Sequence, residues 1–113
     1  MRFNEYQAKA AKFDLFPRGR DMSGNGFVEK VLGLVGEAGE AADKFKKILR
    51  DKNGIISNED REALQAEFGD VLWYLATLTS YLGLSFDDVA QVNIKKLEER
   101  RANGVLHGEG DNR

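Results

Sequence analysis

Four carboxylates in two pairs are the residues best placed to do chemistry in this 113-residue chain: Glu37 with Glu40, and Glu67 with Asp70. Residues three apart on a helix are neighbours, so each pair can offer oxygens to one shared cation. An all-oxygen donor set favours magnesium, or manganese in its place. Magnesium usually keeps several waters and is held jointly by carboxylates and substrate phosphates, which points to a phosphate-bearing substrate. Tyr74 follows Asp70 along the same helix flank and can bond a phosphate or a sugar. Asn93, Lys96 and Arg100, spaced by three and four, project together near Val89, and the two cations can grip phosphate oxygens. A single ExxE pair is usually a solvated face. Two acidic pairs with a cationic stripe together describe hydrolysis of a nucleoside polyphosphate.

Helices must position these groups. Pro17 is the one proline, apolar residues recur at spacings of three and four, and no strand pair is evident, so the chain reads as all-α. A first helix is expected from Glu5 to about Leu15, with Asn4 as N-cap, Gln7 completing a capping box and Phe3 as a hydrophobic staple. A loop over Phe16–Gly26 leads to a second helix, Phe27–Arg50. Its expected core stripe is Val28, Val31, Leu32, Val35, Ala38, Ala42, Phe45 and Leu49, with Glu37 and Glu40 roughly opposite. Gly33, Gly36 and Gly39 each cost about 1 kcal/mol in a helix interior, so a close backbone approach is expected there. Leu34, Ala41 and Ile48 fall outside the stripe and form a second face that oligomerisation would bury.

Asn53-Gly54 marks a turn. Ser57 and Asp60 cap a third helix, Asn58–Leu82, whose expected core is Leu64, Phe68, Val71, Leu72, Leu75 and Leu82, and Gly83 ends it. Ser85 and Asp88 cap a fourth, which fades near Ala102. Residues 1–103 read as one domain and 104–113 as a mobile polar tail that carries His107, to which no role is assigned.

Hydrophobic residues at 42% and charged residues at 32% fit an ordinary globular domain rather than a disordered chain. A net charge of -2 supplies no general attraction to nucleic acid or anionic lipid, so neither is an expected partner. The absence of cysteine excludes disulfides, thiolate nucleophiles and Cys-based zinc sites, and suits the cytoplasm. No apolar run resembles a signal peptide or a membrane span. A ferritin-like di-iron site is disfavoured because its Glu-x-x-His motifs have no counterpart.

The strings GLVGEAGEAADKFKK and LQAEFGDVLWYLATL, followed by NIKKLEERR, resemble the MazG-like nucleotide pyrophosphohydrolases, whose pattern is EExxE, a spacer, then ExxD. The match spans roughly Val31–Arg101. It departs from the pattern at Gly36, which stands where the first motif Glu would be. The resemblance implies a four-helix bundle completed by a homodimer or homotetramer. It also implies hydrolysis of a (deoxy)nucleoside triphosphate to the monophosphate and pyrophosphate, as in nucleotide-pool housecleaning. Magnesium would be held by Glu37, Glu40, Glu67 and Asp70, with Glu37 or Glu40 serving the attacking water. Lys96 and Arg100 would bind pyrophosphate, Asn93 and Tyr74 phosphate or sugar, and Phe3, Tyr6 and Gln7 would border the base. Enzymes for dUTP, dCTP or phosphoribosyl-ATP share this scaffold, and a non-catalytic helical interaction module is the rival from another class.

Overall fold

The computed structural model of the protein describes residues 1–16 and 22–104. It is built of four helices, α1 (Phe3–Ala11), α2 (Asn25–Lys52), α3 (Asn58–Tyr81) and α4 (Phe86–Ala102), with no strand among the described residues. Residues 105–113, which carry His107 and nearly all of the expected tail, lie outside the described residues, as do positions 17–21 of the expected loop.

α2 and α3 form a long antiparallel hairpin whose corner follows the expected chemistry. Asn53 and Gly54 take left-handed backbone angles, φ 53° and 78°, and the Gly54 N–H returns to Ile48 O at 3.1 Å. Both bonds of the capping box at the start of α3 form: Asp60 N–H donates to Ser57 Oγ, and Ser57 N–H donates to the Asp60 carboxylate. Gly83, at φ 69°, ends the helix through Leu84 N–H bonding back to Thr79 O at 2.9 Å.

The N-terminus departs from expectation. α1 starts at Phe3, and Arg2 stands at the N-cap with no side-chain bond, so Asn4 and Gln7 lie inside the helix. Their side chains cap α4 instead: Asn4 Oδ1 accepts from Asp87 N–H and the Ser85 hydroxyl, and Gln7 Oε1 accepts from Phe86 N–H at 3.0 Å. Phe3 stacks edge-on against Phe86, with ring centroids 5.1 Å apart. Ser85 Oγ accepts the Asp88 N–H as expected, and α1 supplies acceptors for the Phe86 and Asp87 amides.

A second correction concerns α2. The stripe expected as core is largely bare: Val28, Leu32, Val35 and Leu49 are each more than half exposed, and Ala38 and Ala42 are exposed too. The face turned toward α3 is the one expected to need a second subunit. It carries Lys30, Leu34, Glu37, Ala41, Lys44 and Ile48, of which Lys30, Ala41 and Ile48 are buried. Both rows follow the alternating three-and-four spacing of a helix seam, so α2 offers two packing faces and one chain uses the less apolar one. On α3, Leu64 is buried, whereas Phe68 and Leu82 of its expected core are exposed; Ala76, Thr77, Thr79 and Tyr81 are buried instead.

Among the described residues α2 packs on α3 alone, α1 bridges α3 and α4, and α2 and α4 do not touch. A single chain is therefore an open set of helices rather than a closed bundle.

Candidate metal centre

The inner face of α2 meets α3 at successive levels along their shared seam. Ile48 and Leu64 are both buried toward the corner. One level on, Lys44 pairs with Glu67 at 3.4 Å. Next comes the acidic centre, where Glu37 of α2 converges with Glu67 and Asp70 of α3, one carboxylate oxygen from each lying within 4.8 Å of the others. Glu37 and Glu67 are half-buried and Asp70 is exposed. Partial burial, then the negative charges of Asp70, Glu67 and Glu40, push the Glu37 carboxyl above its ordinary range. Lys44 offsets charge on Glu67 alone, so the three acceptor-only groups still repel one another, and an all-carboxylate set half open to water fits a hard divalent ion.

Glu40 is exposed one turn further along α2 and stands outside this trio, although its charge is felt by Glu37. Tyr74 lies one turn beyond Asp70 on α3 and packs flat over Gly33, which explains that glycine: a Cβ there would overlap the ring. Gly36 and Gly39 would meet nothing within 4 Å in the chain. Asn93, Lys96 and Arg100 are not brought to the acidic centre from α2's side, since α4 never reaches α2. Asn93 and Lys96 line a separate cavity with Leu84, Ser85, Asp88, Val89 and Val92, and Arg100 is buried.

Gln7 bonds within the chain. Its Nε2 donates toward Thr79 Oγ1, Ser80 Oγ and Leu84 O, while its Oε1 caps α4, so its amide is fully engaged. Phe3 is likewise turned to α4. Tyr6 stands closer to the site: its hydroxyl is raised by burial and then by the charge of Asp70.

The residues that spacing did not single out lie one level past Tyr74. The segment Phe13–Phe16 crosses the α2–α3 seam and, with Glu29, Lys30, Trp73 and Tyr74, lines an open cavity of about 350 Å³. Asp14 pairs with the buried Lys30 at 3.2 Å and accepts a 2.7 Å bond from the Tyr81 hydroxyl. The Lys30 ammonium also bonds Glu29 and lies 5.6–5.8 Å from the ring centres of Phe16, Trp73 and Tyr81. Burial favours the neutral forms of both partners, yet their mutual bonds, with those of Tyr81 and Glu29, outweigh it: Asp14 is lowered and Lys30 raised.

Two helices thus deliver an ExxD pair and a facing Glu to one spot, and the model of the MazG nucleotide pyrophosphohydrolase domain matches residues 28–105, which hold all of them. The chain belongs to the MazG family. A relative named Gene 37 protein, from Mycobacterium phage L5, is 46% identical over 114 residues and covers the whole of both chains. No solved structure matches significantly. The MazG domain match begins at Val28 and so includes the bare seam of α2, the acidic centre and all of α4, while α1 and the Phe13–Phe16 segment precede it.

Proposed function

We propose that the protein hydrolyses nucleoside triphosphates between the α- and β-phosphates, releasing the monophosphate and pyrophosphate. The observation that carries this reading is the convergence of Glu37, Glu67 and Asp70 from two helices, beside an aromatic-walled cavity. These three carboxylates would hold magnesium, which when bound neutralises phosphate charge and draws electron density from phosphorus. Glu40 stands one turn away, outside the trio, where a carboxylate can orient the attacking water and take its proton. The water oxygen forms the new bond to phosphorus as the bridging oxygen departs with one of the two products. The cavity walled by Phe13, Phe16, Trp73 and Tyr74 suits a flat base, with Tyr74 between it and the metal centre.

A second copy of the chain fits the reading. The bare α2 row of Val28, Val31, Val35, Ala38, Ala42, Phe45 and Leu49 offers a seam for a neighbouring helix. A homodimer or dimer of dimers would cover it, and would allow Asn93, Lys96 and Arg100 to approach the acidic centre of another subunit. The protein acts on free nucleotides, consistent with a housecleaning role in the cytoplasm; no helix among the described residues is long and apolar enough to cross a membrane.

The test is incubation of purified protein with magnesium and a panel of canonical, deoxy and damaged nucleotides, including dUTP, dCTP and phosphoribosyl-ATP, with products separated by chromatography. Monophosphate and pyrophosphate in equal amounts are expected, with turnover lost in Asp70→Asn. Release of orthophosphate, or no metal-dependent turnover, overturns the reading.

A further inference from the structure

The ion pair beneath the Phe13–Phe16 segment is the buried charged group that the reaction does not use. Phe13 lies in the turn that closes α1, and side chains alternate along the segment: Phe13 and Leu15 are 72% and 90% exposed, while Asp14 and Phe16 point inward. Phe16 fits against Gly26, where a Cβ would come within 3.0 Å of its ring and of the Tyr81 hydroxyl. Asp14 also accepts the Phe16 N–H at 3.1 Å, which ties the two inward residues together. The Phe13 and Asp14 N–H groups tie the segment to the end of α1 at Ala10 O and Ala11 O, and further out the Phe16 ring and the Asp14 carboxylate hold it against α2 and α3, with Lys30 and Tyr81 on the carboxylate.

A buried ion pair seldom stabilises more than well-packed apolar side chains of similar size, because desolvation offsets the attraction. What it adds is direction. Three aromatic rings already surround the Lys30 ammonium, so an apolar side chain would find company there, but it would not fix where Asp14 must sit. We propose that Lys30 is a positioning residue whose ion pair with Asp14, joined by the Tyr81 hydroxyl, latches Phe13–Phe16 over the cavity beside Tyr74 and so sets the shape of the nucleoside end of the site. The inference rests on the enzyme reading above for the cavity's occupant, and on geometry alone for the latch.

The decisive variant is the double Lys30→Met, Asp14→Leu, which replaces the pair by apolar side chains and leaves no lone buried charge. Its affinity for manganese and its kcat should stay near the wild type, and its melting temperature should fall only by what the Tyr81 hydroxyl loses with its acceptor. KM for the preferred nucleotide should rise between about tenfold and a hundredfold, because the base loses contact with an apolar wall that it touches alike in the ground and transition states. Tyr81→Phe should show a smaller shift in the same direction. The single tryptophan, Trp73, supplies a readout independent of turnover, since its ring borders the cavity and acrylamide should quench it more readily once the segment is released. A folded double variant with wild-type KM and unchanged quenching overturns the latch. If the wild type shows no magnesium-dependent turnover, the enzyme reading fails instead, and the quenching comparison alone decides the latch.

Discussion

Replacing Gly33 by alanine probes the packing that separates the acidic centre from the aromatic cavity. The added Cβ would stand 2.5 Å from both Cδ1 and Cζ of Tyr74, and closer still to Cε1, distances that real side chains do not tolerate. The ring cannot simply tilt, because Trp73 meets it edge-on with centroids 5.0 Å apart. Tyr74 must leave the seam. Overpacking of this kind costs typically about 1–3 kcal/mol, while alanine's better helix propensity returns about 1 kcal/mol. Gly36→Ala is the internal control, since its Cβ meets nothing within 4 Å and it should gain only the propensity advantage. The two variants should therefore differ in unfolding free energy by about 1–3 kcal/mol, the overpacking cost alone, with Gly33→Ala the weaker. Urea denaturation with a common slope measures this directly. KM should rise in Gly33→Ala as Tyr74 swings toward the cavity. Equal stability of the two variants, or a more stable Gly33→Ala, would refute the described meeting of α2 and α3.

Glu37→Gln, Glu67→Gln and Asp70→Asn should each weaken manganese binding by about tenfold or more in calorimetric titration, whereas Glu40→Gln should bind metal nearly normally and lose turnover. Metal affinity should also fall on acidification earlier than for an ordinary carboxylate set. Glu37 titrates above its usual value, so the metal-free fold gains relative stability as that proton binds, while metal needs it gone; the upward shift in melting temperature caused by magnesium should shrink as pH falls through that range. Val35→Asp lies on the bare α2 seam and should change the stability of an isolated chain by less than about 0.5 kcal/mol, yet light scattering should report a smaller assembly than the wild type. Ser57→Ala removes one acceptor of the α3 capping box and should cost about 1 kcal/mol in a denaturant titration.

Much of this was legible in the residues, and the reasons differ by element. The α2–α3 corner followed from Asn53, Gly54, Ser57 and Asp60 because turn and cap chemistry is local. Of the four carboxylates expected to converge, Glu37, Glu67 and Asp70 do, because Glu67 and Asp70 share a helix face and Glu37 stands opposite α2's most apolar stripe, whereas Glu40 lies one turn outside the group. Which of α2's two faces turns inward did not follow. Hydrophobic count favours the Val28–Leu49 row, but the α3 contact selects the face where Gly33 admits Tyr74 and Glu37 meets Asp70. Asn4 and Gln7 had the spacing of a capping box and proved to serve a helix some 80 positions downstream, a use that short-range pattern cannot reveal. Lys30 and Asp14 were silent for the same reason, since each is an ordinary charged residue until the fold brings them together.

The caps that α1 lends to α4 bind the chain's extremities into one cooperative unit. The hairpin of α2 and α3 rests on contacts between adjacent elements, but the first turn of α4 has Asn4 and Gln7 as acceptors across 79 to 83 positions of sequence. Fraying at the amino end should therefore spread: once Asn4 and Gln7 let go, the Phe86 and Asp87 amides lose their acceptors, and α1 and the first turn of α4 should exchange their hydrogens with solvent together.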